Sequence, residues 1–503
     1  MSDDRSFVEE ARRAKLPELA KLGVRPFGYR FARSHTAAEA LSLYRDAMLD
    51  AGPEVGIAGR VESWRPKGKV VFGHVEDYSG RIQVYLRADA LGERWRLVEL
   101  LDLDDHIGVI GRLMRTKAGE VTVRATAVEL LAKSLRPLPR PKREVQEDGS
   151  IRTYGGVADP ELRYRQRYAD LAVHPEVREV FRLRSRVISR MRAFLDARGF
   201  LEVETPVLQS LYGGAAARPF ITHHNALDSE FYLRIADELY LKRLIVGGLE
   251  RVYEIGHDFR NEGIDRIHNP EFTMLELYQA YADYGDMMTL AEALFVDLVR
   301  LASGGKVTLS RGAMTLDFTP PFARVSFVDA IREQVGLDVL TATDAEMRAS
   351  LRKAGISAEE ADTFTGGKLL DEMFSAWIEP RLVQPTFVVD HPKLLSPLAK
   401  EHRDRPGLAE RFELIVQGRE LANAFSELND PDEQRARFED QAHQRAAGNE
   451  ETQPFDADFI RALEYGMPPT GGMGIGVDRV VMLLADQPSI RDVILFPAMR
   501  PED

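Results

Sequence analysis

The chain of 503 residues contains no cysteine. Disulfide bonds, cysteine-ligated zinc, iron–sulfur clusters and thiol catalysis are therefore excluded. The chain also has no run of the roughly 20 apolar residues that a membrane span requires, and no early apolar segment of signal-peptide type. We therefore expect a cytoplasmic protein with no membrane partner. A GxxxxGK[ST] sequence is missing as well, so a nucleotide site of the P-loop type is excluded.

The charge of the chain is unevenly distributed. The net charge of −13 argues against a general nucleic-acid binder. Residues 133–143, KSLRPLPRPKR, nevertheless carry five basic side chains and no acidic one. If the protein has an RNA partner, this charge favours contact with the N-terminal part of the chain. The simpler interpretation of the stretch is a solvated, proline-rich linker.

The pattern of apolar residues predicts four segments. Residues 1–52 contain two helical patterns and form a predicted N-terminal helical appendage. Residues 53–134 have the pattern of five short strands with an amphipathic stretch after the third, which is typical of an OB-fold barrel that binds single-stranded nucleic acid. An unrelated small barrel is the alternative. Residues 135–160 are a predicted linker, and residues 161–503 are a larger domain.

Strands and helices do not alternate regularly in the larger domain, which favours an α+β fold over a doubly wound sheet. A long helical pattern at 175–198 is stopped by Gly199. A helical insertion is predicted at about 326–380. Further strands are predicted at 200–205, 386–390 and 411–427.

Residues 251–284 predict two strands joined by a polar loop at 261–270. In the second strand, Leu275 and Leu277 share one face, and the other face has polar and aromatic side chains. A hairpin of this kind brings cationic, imidazole, aromatic and carboxylate groups around one cavity, as a site for a nucleotide and a cationic small molecule requires. The residues predicted around that cavity are Arg260, Glu262, Arg266, His268, Phe272 and Glu276. A solvated, salt-bridged hairpin is the alternative.

Acidic side chains also enter an otherwise apolar segment at 411–429. Carboxylates in an apolar strand are costly unless they are paired or bind a metal ion. Glu413 and Glu420 have opposite strand parity, so a bulge near Gly418 would be needed for both to reach one Mg²⁺. The alternative is that these acids face solvent or pair with Arg411 and Arg419.

Two further stretches combine small residues with charge. Residues 466–484 contain a glycine cluster followed by Asp478 and Arg479 at the start of an apolar helix, which suits a phosphate clamp or plain close packing. In 212–240, glycines and alanines leave room for a small substrate, and Glu238 lies between apolar residues. His223 and His224 are adjacent, so in a strand they point to opposite faces and do not form a metal pair.

Taken together, these motifs resemble those of the class II aminoacyl-tRNA synthetases, and within them the lysine-specific branch. GFLEVETP at 199–206 resembles the first family motif, with Pro206 at a dimer interface; residues 259–273 resemble the second, and GMGIGVDR at 472–479 the third. GGAAARPF, ELYLKRL and NAFSEL are features of the lysine branch. The resemblance covers nearly the whole chain. It implies an antiparallel-sheet catalytic domain and an OB-fold anticodon-binding domain.

The same resemblance implies ATP-dependent ligation of L-lysine to tRNA(Lys) through a lysyl-adenylate, by a homodimer that uses Mg²⁺. The implied catalytic residues are Arg260 and Arg479. The implied ATP-binding residues are Arg260, Glu262, His268, Asn269, Phe272, Glu413, Glu420 and Arg479, with Glu413 and Glu420 as the metal ligands. The implied lysine-binding residues are Gly214, Glu238, Arg260, Glu276, Tyr278, Asn423, Phe425 and Glu427. The implied anticodon-binding residues are Phe72 and Gln83.

Three alternatives are less consistent with the residues. An aspartate or asparagine enzyme of the same class would need a pocket that accepts an acidic or neutral side chain, whereas Glu238, Glu276 and Glu427 would repel an acid. An enzyme that lysylates a protein, like truncated relatives, is disfavoured by the predicted barrel. A non-catalytic paralogue is expected to lack the nucleotide-binding arginines, and Arg260 and Arg479 are both present.

Overall fold

The computed structural model describes residues 6–48, 50–140, 142–145, 151–154, 156, 159–446 and 453–502. The chain divides into two compact units, Met1–Ala158 and Asp159–Asp503. The finer boundaries of the four predicted segments stay predictions, and part of the predicted linker at 135–160 lies outside the described residues.

The first unit contains a closed five-stranded barrel with the strand order β1-β2-β3-β5-β4. Buried apolar residues alternate along much of its strands, as Val55 and Ile57 illustrate, because alternate side chains of a strand point to opposite faces. The helix after the third strand lies where the sequence predicts it, and the OB-fold prediction is confirmed. The barrel strands are β1 (Glu54–Lys67), β2 (Val70–Asp77), β3 (Gly80–Arg87), β4 (His106–Arg115) and β5 (Val121–Ala132).

Four helices and a two-stranded sheet accompany the barrel. Ser6 and Glu9 form a capping box that satisfies free backbone N–H groups where the first helix begins, and Leu19 of that helix is fully buried in the barrel core. The helices are α1 (Phe7–Lys21), α2 (Ala37–Leu43), α3 (Ala88–Leu91) and α4 (Trp95–Leu100). The small sheet pairs β6 (Lys142–Val145) with β7 (Ile151–Tyr154).

The second unit is built on an eight-stranded sheet with the order β16-β17-β18-β19-β20-β13-β12-β8. The pairings are antiparallel except at the two edges, where β16 pairs with β17 and β12 with β8 in parallel. This is the α+β, antiparallel-sheet architecture that the sequence predicts. Its strands are β8 (Leu201–Glu202), β12 (Arg251–Phe259), β13 (Glu271–Ala280), β16 (Ala323–Ser326), β17 (Thr386–Pro392), β18 (Leu408–Ile415), β19 (Glu420–Ser426) and β20 (Thr470–Gly476). The strands outside this sheet are β9 (Leu208–Gln209), β10 (Ile221–His224), β11 (Ser229–Leu233), β14 (Thr308–Arg311) and β15 (Met314–Asp317).

The helices of the second unit are α5 (Pro160–Arg165), α6 (Arg167–Val173), α7 (Pro175–Asp196), α8 (Glu238–Val246), α9 (Tyr284–Ser303), α10 (Phe327–Val335), α11 (Asp344–Lys353), α12 (Ala358–Thr363), α13 (Gly366–Trp377), α14 (Pro431–Ala446), α15 (Ala457–Glu464), α16 (Val477–Ala485) and α17 (Ile490–Val493). Helices α7, α9 and α16 cover one face of the eight-stranded sheet, and Leu275 and Leu277 of β13 point into the core between the sheet and these helices with no exposed surface. Helices α10, α11, α12 and α13 pack into a hydrophobic cluster of their own. Within the described ranges, no helix combines the length and hydropathy that a bilayer crossing requires.

Two strand predictions are wrong in detail. The segment predicted as a single strand at 411–427 is a hairpin, in which β18 pairs with β19 and Gly418 adopts a φ of 63° in the turn. The left-handed backbone suits glycine, which has no Cβ. The strand predicted at 200–205 is only the two residues of β8. Both errors have the same physical origin, since an unbroken apolar pattern does not indicate where the chain reverses or leaves a sheet.

Candidate active site

A cavity of about 720 Å³ in the second unit lies on the sheet face opposite the helical core. Strands β12, β13, β18, β19 and β20 and helices α8 and α13 contribute to its walls. The catalytic-domain residues that the family resemblance implies for ligand binding all line this one cavity: Gly214, Glu238, Arg260, Glu262, His268, Asn269, Phe272, Glu276, Tyr278, Glu413, Glu420, Asn423, Phe425, Glu427 and Arg479. Arg266, also predicted from the hairpin, is not among the lining residues.

One end of the cavity is lined by Glu238, Glu276, Tyr278 and Glu427, and Lys242 contacts two of these carboxylates; these five residues are called the closed end. The Lys242 ammonium has no exposed surface, donates to Glu238 Oε1 at 2.5 Å and makes an ion pair with Glu427. The Tyr278 hydroxyl donates to Glu276 Oε2 at 3.3 Å. Of the two buried oxygens of Glu427, Oε2 makes the ion pair with Lys242, and Oε1 has no hydrogen-bond partner among the described residues. The closed end therefore concentrates negative charge with acceptor capacity to spare.

Two glycines of β20 make room for these carboxylates. A Cβ at Gly472 would lie 2.0 Å from Glu427 Oε1, and a Cβ at Gly474 would lie 2.4 Å from Glu276 Oε1. Both distances are far below van der Waals contact, so any larger residue would displace a carboxylate. The sequence left plain close packing open as the reason for this glycine cluster; the structure shows that these two glycines accommodate charged side chains.

The buried environment of the closed end changes the pKa values of its carboxyl groups. Burial raises the pKa of Glu427 well above its ordinary value, although the neighbouring Lys242 charge opposes the change. Burial, together with the negative charges of Glu238 and Asp258, likewise raises the pKa of Glu276. Each raised pKa means that ionising the buried carboxyl costs free energy. A ligand with a positive charge would offset that cost and stabilise the ionised carboxylates. The arrangement favours a cationic ligand.

Arg411 on β18 connects the amide and the carboxylate that were predicted for different ligands. Its Nε donates to Asn423 Oδ1 at 3.0 Å, and its Nη2 contacts Glu413 at 2.6 Å. Burial opposes ionisation of Glu413, but the charge of Arg411 and the contact with His391 outweigh it and lower the pKa of Glu413 to about 2. One guanidinium therefore orients Asn423 and keeps Glu413 ionised.

Arg260 lies at the centre of the cavity, after the end of β12. Its guanidinium stands 5.1 Å from the centre of the Phe272 ring. Its buried Nε has no hydrogen-bond partner among the described residues. A buried, unpaired guanidinium N–H is costly unless a ligand accepts from it, so Arg260 suits the binding of a phosphate or carboxylate.

The other end of the cavity, the open end, consists of Glu262, His268, Phe272, Glu420 and Arg479. Arg479 donates to Glu420 Oε2 at 3.1 Å and lies 3.3 Å from His268 Nε2. The side chains of His268 and Glu420 are 53% and 40% exposed. Ion pairs this accessible to water contribute little stability and are readily replaced.

The Asn269 side chain also lines the cavity, but it is already hydrogen-bonded to backbone groups of the protein. Its Nδ2 donates to the Glu271 carbonyl at 2.6 Å, and its Oδ1 accepts from the Ala498 backbone N–H at 3.3 Å. The side chain therefore anchors the 261–270 loop to the C-terminal segment.

The loop of small residues predicted to cover a substrate is held from two sides. Gly214 has a φ of 87°, and its N–H donates to the Gln453 side chain at 3.0 Å. The Arg218 carbonyl accepts from the Asn261 N–H at 2.8 Å, which connects the loop to the hairpin. A Cβ at Gly214 would lie 3.2 Å from the Glu238 Cβ, so glycine permits close approach to the closed end.

The donor set for a metal ion is two carboxylates. Glu413 and Glu420 belong to the neighbouring strands β18 and β19 and line the same cavity. This is the number that Mg²⁺ takes when phosphates and waters complete its octahedral shell. The sequence had required a bulge near Gly418 within one strand; in the structure a hairpin turn and a register shift between Leu414 and Ile415 place both side chains on the walls of the same cavity. Among the described residues no group of three or more His, Asp or Glu side chains could hold a metal ion.

The two residues predicted to read an anticodon lie in the first unit on the adjacent barrel strands β2 and β3, where Phe72 is half-buried and Gln83 is buried. The Phe72 and Tyr85 rings stack with centroids 4.6 Å apart. Gln83 donates to Glu120 at 2.6 Å and accepts from the Thr122 hydroxyl at 2.8 Å. An aromatic platform beside an oriented amide is a common arrangement for stacking and reading an unpaired base.

Some residues of the cavity were not identified from the sequence. Lys242, Gln453 and Asp371 are examples; Lys242 contacts the closed end, while Gln453 and Asp371 line the cavity. Burial raises the pKa of Asp371 to about 6. The spacing of Lys242 four residues after Glu238 is a signal that could have found it, because residues i and i+4 of a helix lie side by side. No comparable signal exists for Gln453, which reaches the cavity through tertiary packing alone.

The sequence of the chain is similar to those of known proteins. Residues 159–500 match the family model described as tRNA synthetases class II (D, K and N), and residues 55–131 match the OB-fold nucleic acid binding domain. The chain is 51% identical to the lysine–tRNA ligase of Carboxydothermus hydrogenoformans over 98% of each chain. It is 51% identical to that of Roseiflexus castenholzii over 99% of each, and 49% identical to that of Bacillus subtilis over 98% of this chain and 97% of the relative.

Proposed function

Because the chain belongs to the lysine–tRNA ligase family of class II tRNA synthetases, we propose that its cavity joins L-lysine to ATP and that the lysyl group is then transferred to tRNA(Lys) for protein synthesis. The observation that carries this proposal is the closed end, where three carboxylates surround a space beside Arg260. A strongly hydrated ammonium loses its water on entering such a pocket, and the carboxylates replace that water.

The reaction has two steps and needs no protein nucleophile. A carboxylate oxygen of lysine attacks the α-phosphorus of ATP, the bond to the β-phosphate oxygen breaks, and lysyl-adenylate and pyrophosphate form. The 3′-terminal ribose hydroxyl of the tRNA then attacks the lysyl carbonyl, loses its proton and displaces AMP. The chain contributes position and charge: it aligns the reacting groups and stabilises the transferred phosphoryl group.

Arg260 and Arg479 are the proposed catalytic residues. Arg260 holds both the lysine carboxylate and the α-phosphate, and its unpaired Nε supports that role. Arg479 holds the γ-phosphate after release from Glu420. Phe272 stacks on the adenine, and Glu262, His268 and Asn269 complete the ATP site. Because the Asn269 side chain is occupied, its contact with ATP is through the backbone.

Mg²⁺ is the proposed cofactor, with Glu413 and Glu420 as its protein ligands. Bound with ATP, the ion supplies positive charge to the phosphates. Arg411 keeps Glu413 ionised, and Arg479 pairs with Glu420 until ATP enters.

Lysine binds at the closed end in this proposal. Glu238, Glu276 and Glu427 receive its ammonium groups, Tyr278 and Phe425 surround its carbon chain, and Gly214 and Asn423 contact its backbone end. In the barrel, Phe72 and Gln83 bind the anticodon. The predicted cytoplasmic location stays a prediction.

We propose a homodimer from the surface around β8, the edge strand of the large sheet. Leu201, Val207 and Leu208 are 51%, 42% and 51% exposed, and Pro206 is exposed beside them. Exposed apolar residues next to a sheet edge are typical of an interface, and most soluble oligomers are symmetric dimers.

The experiment that tests the proposed activity is ATP–pyrophosphate exchange with each of the twenty amino acids in turn. Lysine should support exchange at least about 100-fold faster than any other, because the closed end rejects ligands that leave its carboxylates unpaired. If aspartate or asparagine supports exchange and lysine does not, the proposed substrate is wrong.

A further inference from the structure

Lys242 is the one residue of the closed end for which the proposed function gives no role. It lies on α8 one turn after Glu238, and its side chain has no exposed surface. Its ammonium donates to Glu238 Oε1 at 2.5 Å and pairs with Glu427. It also lies 5.3 Å from the Phe425 ring centre and 6.0 Å from that of Tyr278. These four neighbours are all residues proposed to bind lysine.

Lys242 is the one cation among the five residues of the closed end, beside the carboxylates of Glu238, Glu276 and Glu427. Its ammonium pairs with Glu238 and Glu427, whereas Glu276 accepts from the Tyr278 hydroxyl. A substrate ammonium would bring further positive charge to this acidic end. Without Lys242, two buried carboxylates would lose their cationic partner, which is costly in an enclosed site.

Lys242 also opposes the effect of burial on its partners. Burial favours the protonated acid of Glu238 and Glu427, and the Lys242 charge acts against that in both. Burial alone would lower the pKa of Lys242, but the two carboxylates outweigh it and raise this pKa. The other charged or titratable groups that act on these residues include Asp237 at the start of α8, Asp258 on β12, Glu276 and Tyr278 on β13, and Arg411 on β18.

We infer that Lys242 is a positioning residue that holds Glu238 and Glu427 as ionised, correctly oriented acceptors for a substrate ammonium. This inference rests on the proposed function, since it concerns how the closed end recognises L-lysine. Lys242 acts through the two carboxylates and does not itself line the cavity.

The first test is Lys242→Met, which keeps a chain of similar length and removes the charge. In lysine-dependent exchange at pH 7, the KM for lysine should rise at least about tenfold, the scale of one charge-assisted hydrogen bond. The KM for ATP should stay within about threefold. The loss should shrink between pH 7 and pH 8.5, because an extra proton held by the Glu238–Glu427 pair is released as the pH rises. A packing defect alone would be the same at every pH.

The second test uses the absence of cysteine from the chain. Lys242→Cys creates a single thiol, and alkylation with 2-bromoethylamine rebuilds an ammonium at nearly the length of lysine. Alkylation with 2-bromoethanol adds a neutral group of the same size, and mass spectrometry verifies one addition in each case. The aminoethyl form should recover a lysine KM within about threefold of the unaltered protein, and the hydroxyethyl form should not.

The matched control is Arg243→Met, which removes a cation from the next residue of α8. Arg243 pairs with Asp456 and Asp458 and does not line the cavity. Its lysine KM should stay within about twofold of that of the unaltered protein. The role of Lys242 would be overturned by equal recovery with the aminoethyl and hydroxyethyl groups, or by an unchanged lysine KM in Lys242→Met. In either case, lysine-dependent exchange by the unaltered protein would still support the proposed function. Absence of that exchange would instead overturn the proposed function itself. If Lys242→Met does not fold, the two alkylated forms decide the question.

Discussion

The two ends of the cavity share the same sheet but differ in how much of their charge is in contact with water. At the closed end, Lys242 and Glu427 have no exposed side-chain surface, and each pairs with the other. At the open end, the side chains of His268 and Glu420 are about half exposed. Electrostatic interactions are strong in an enclosed site and weak in contact with water. The closed end is therefore suited to selecting a ligand by its charge, and the open end to admitting and releasing a large anionic one.

The largest expected effect is at Arg260, where the two ends meet. Arg260→Ala should lower kcat/KM for lysine-dependent exchange by about 10²–10³-fold, because it removes a donor to the group on which charge develops. The control is Arg266→Ala, an exposed arginine of the same loop that does not line the cavity. It should remain within about threefold of the unaltered protein. A loss of similar size in both variants would mean that loop structure, and not contact with the substrates, explains the effect.

The next effect concerns stability and pH. Burial raises the pKa of Asp258, which lines the cavity, to about 6, above the value of 3.8 for the unfolded chain. Between these values the folded protein holds a proton that the unfolded chain has lost, so the free energy of unfolding falls as pH rises through about 4 to 6. Asp258→Asn cannot ionise. Its free energy of unfolding relative to the unaltered protein should therefore increase from pH 4 to pH 7 by up to about 3 kcal/mol.

Thermal or denaturant unfolding of both proteins across this pH range measures the difference. Asp265→Asn, in the open-end loop, is the matched control with the opposite sign. Burial slightly opposes ionisation of Asp265, but hydrogen bonds from His268 and Ile267 outweigh it and lower the pKa of this carboxyl. Its replacement should therefore lose relative stability as pH rises toward about 4, below the range in which Asp258 responds, so this variant is also unfolded at pH values down to about 2.5. A change of the same sign in both variants would contradict the opposite effects of the structure on the pKa values of Asp258 and Asp265.

A smaller effect is expected for the closed-end carboxylates. Glu427→Gln and Glu238→Gln should each weaken lysine binding by about 1–3 kcal/mol, the scale of a charge-assisted hydrogen bond. The KM for ATP should change little. Glu262→Gln at the open end is the counterpart, and should raise the KM for ATP without raising that for lysine. Unchanged lysine affinity in both closed-end variants would show that the ammonium binds elsewhere.

The smallest effect is the response to salt. Raising KCl from 50 to 500 mM should increase the KM for ATP several-fold more than the KM for lysine, since exposed charges are screened far more than enclosed ones. Steady-state exchange at each salt concentration measures both constants. Equal increases would mean that the closed end is accessible to ions in the functioning protein.

The sequence predicted the hairpin of β12 and β13 correctly because its period-2 pattern is local: Leu275 and Leu277 enter the core, and the opposite face lines the cavity. It could not predict that 411–427 reverses direction, because the glycine that permits the turn looks the same as one that permits a bulge. The fold class and the family were within reach of the motifs. The roles of the individual site residues remain predictions.

The sequence alone does not show which distant segments of the chain contact each other. Gln453 reaches Gly214 across 239 positions, and Arg411 joins Asn423 to Glu413 only because β18 and β19 are adjacent. Lys242 was overlooked because a lysine on a helix is most often a solvated charge. Its burial depends on which elements close over it, and that information lies in the tertiary packing of α8 against the carboxylates.

The central claim is that the closed end selects its substrate by charge, and the most direct measurement compares L-lysine with L-norleucine in the exchange reaction of the unaltered protein. Norleucine has the same side-chain carbons but no side-chain ammonium, so it buries the three closed-end carboxylates with Lys242 as their one ammonium partner. The account predicts that kcat/KM for lysine exceeds that for norleucine by about 10⁴-fold or more, as for other sites built around a polar group of the substrate. A ratio below about tenfold would contradict the claim, because the pocket would then be selecting its substrate by the length of the side chain and not by its charge.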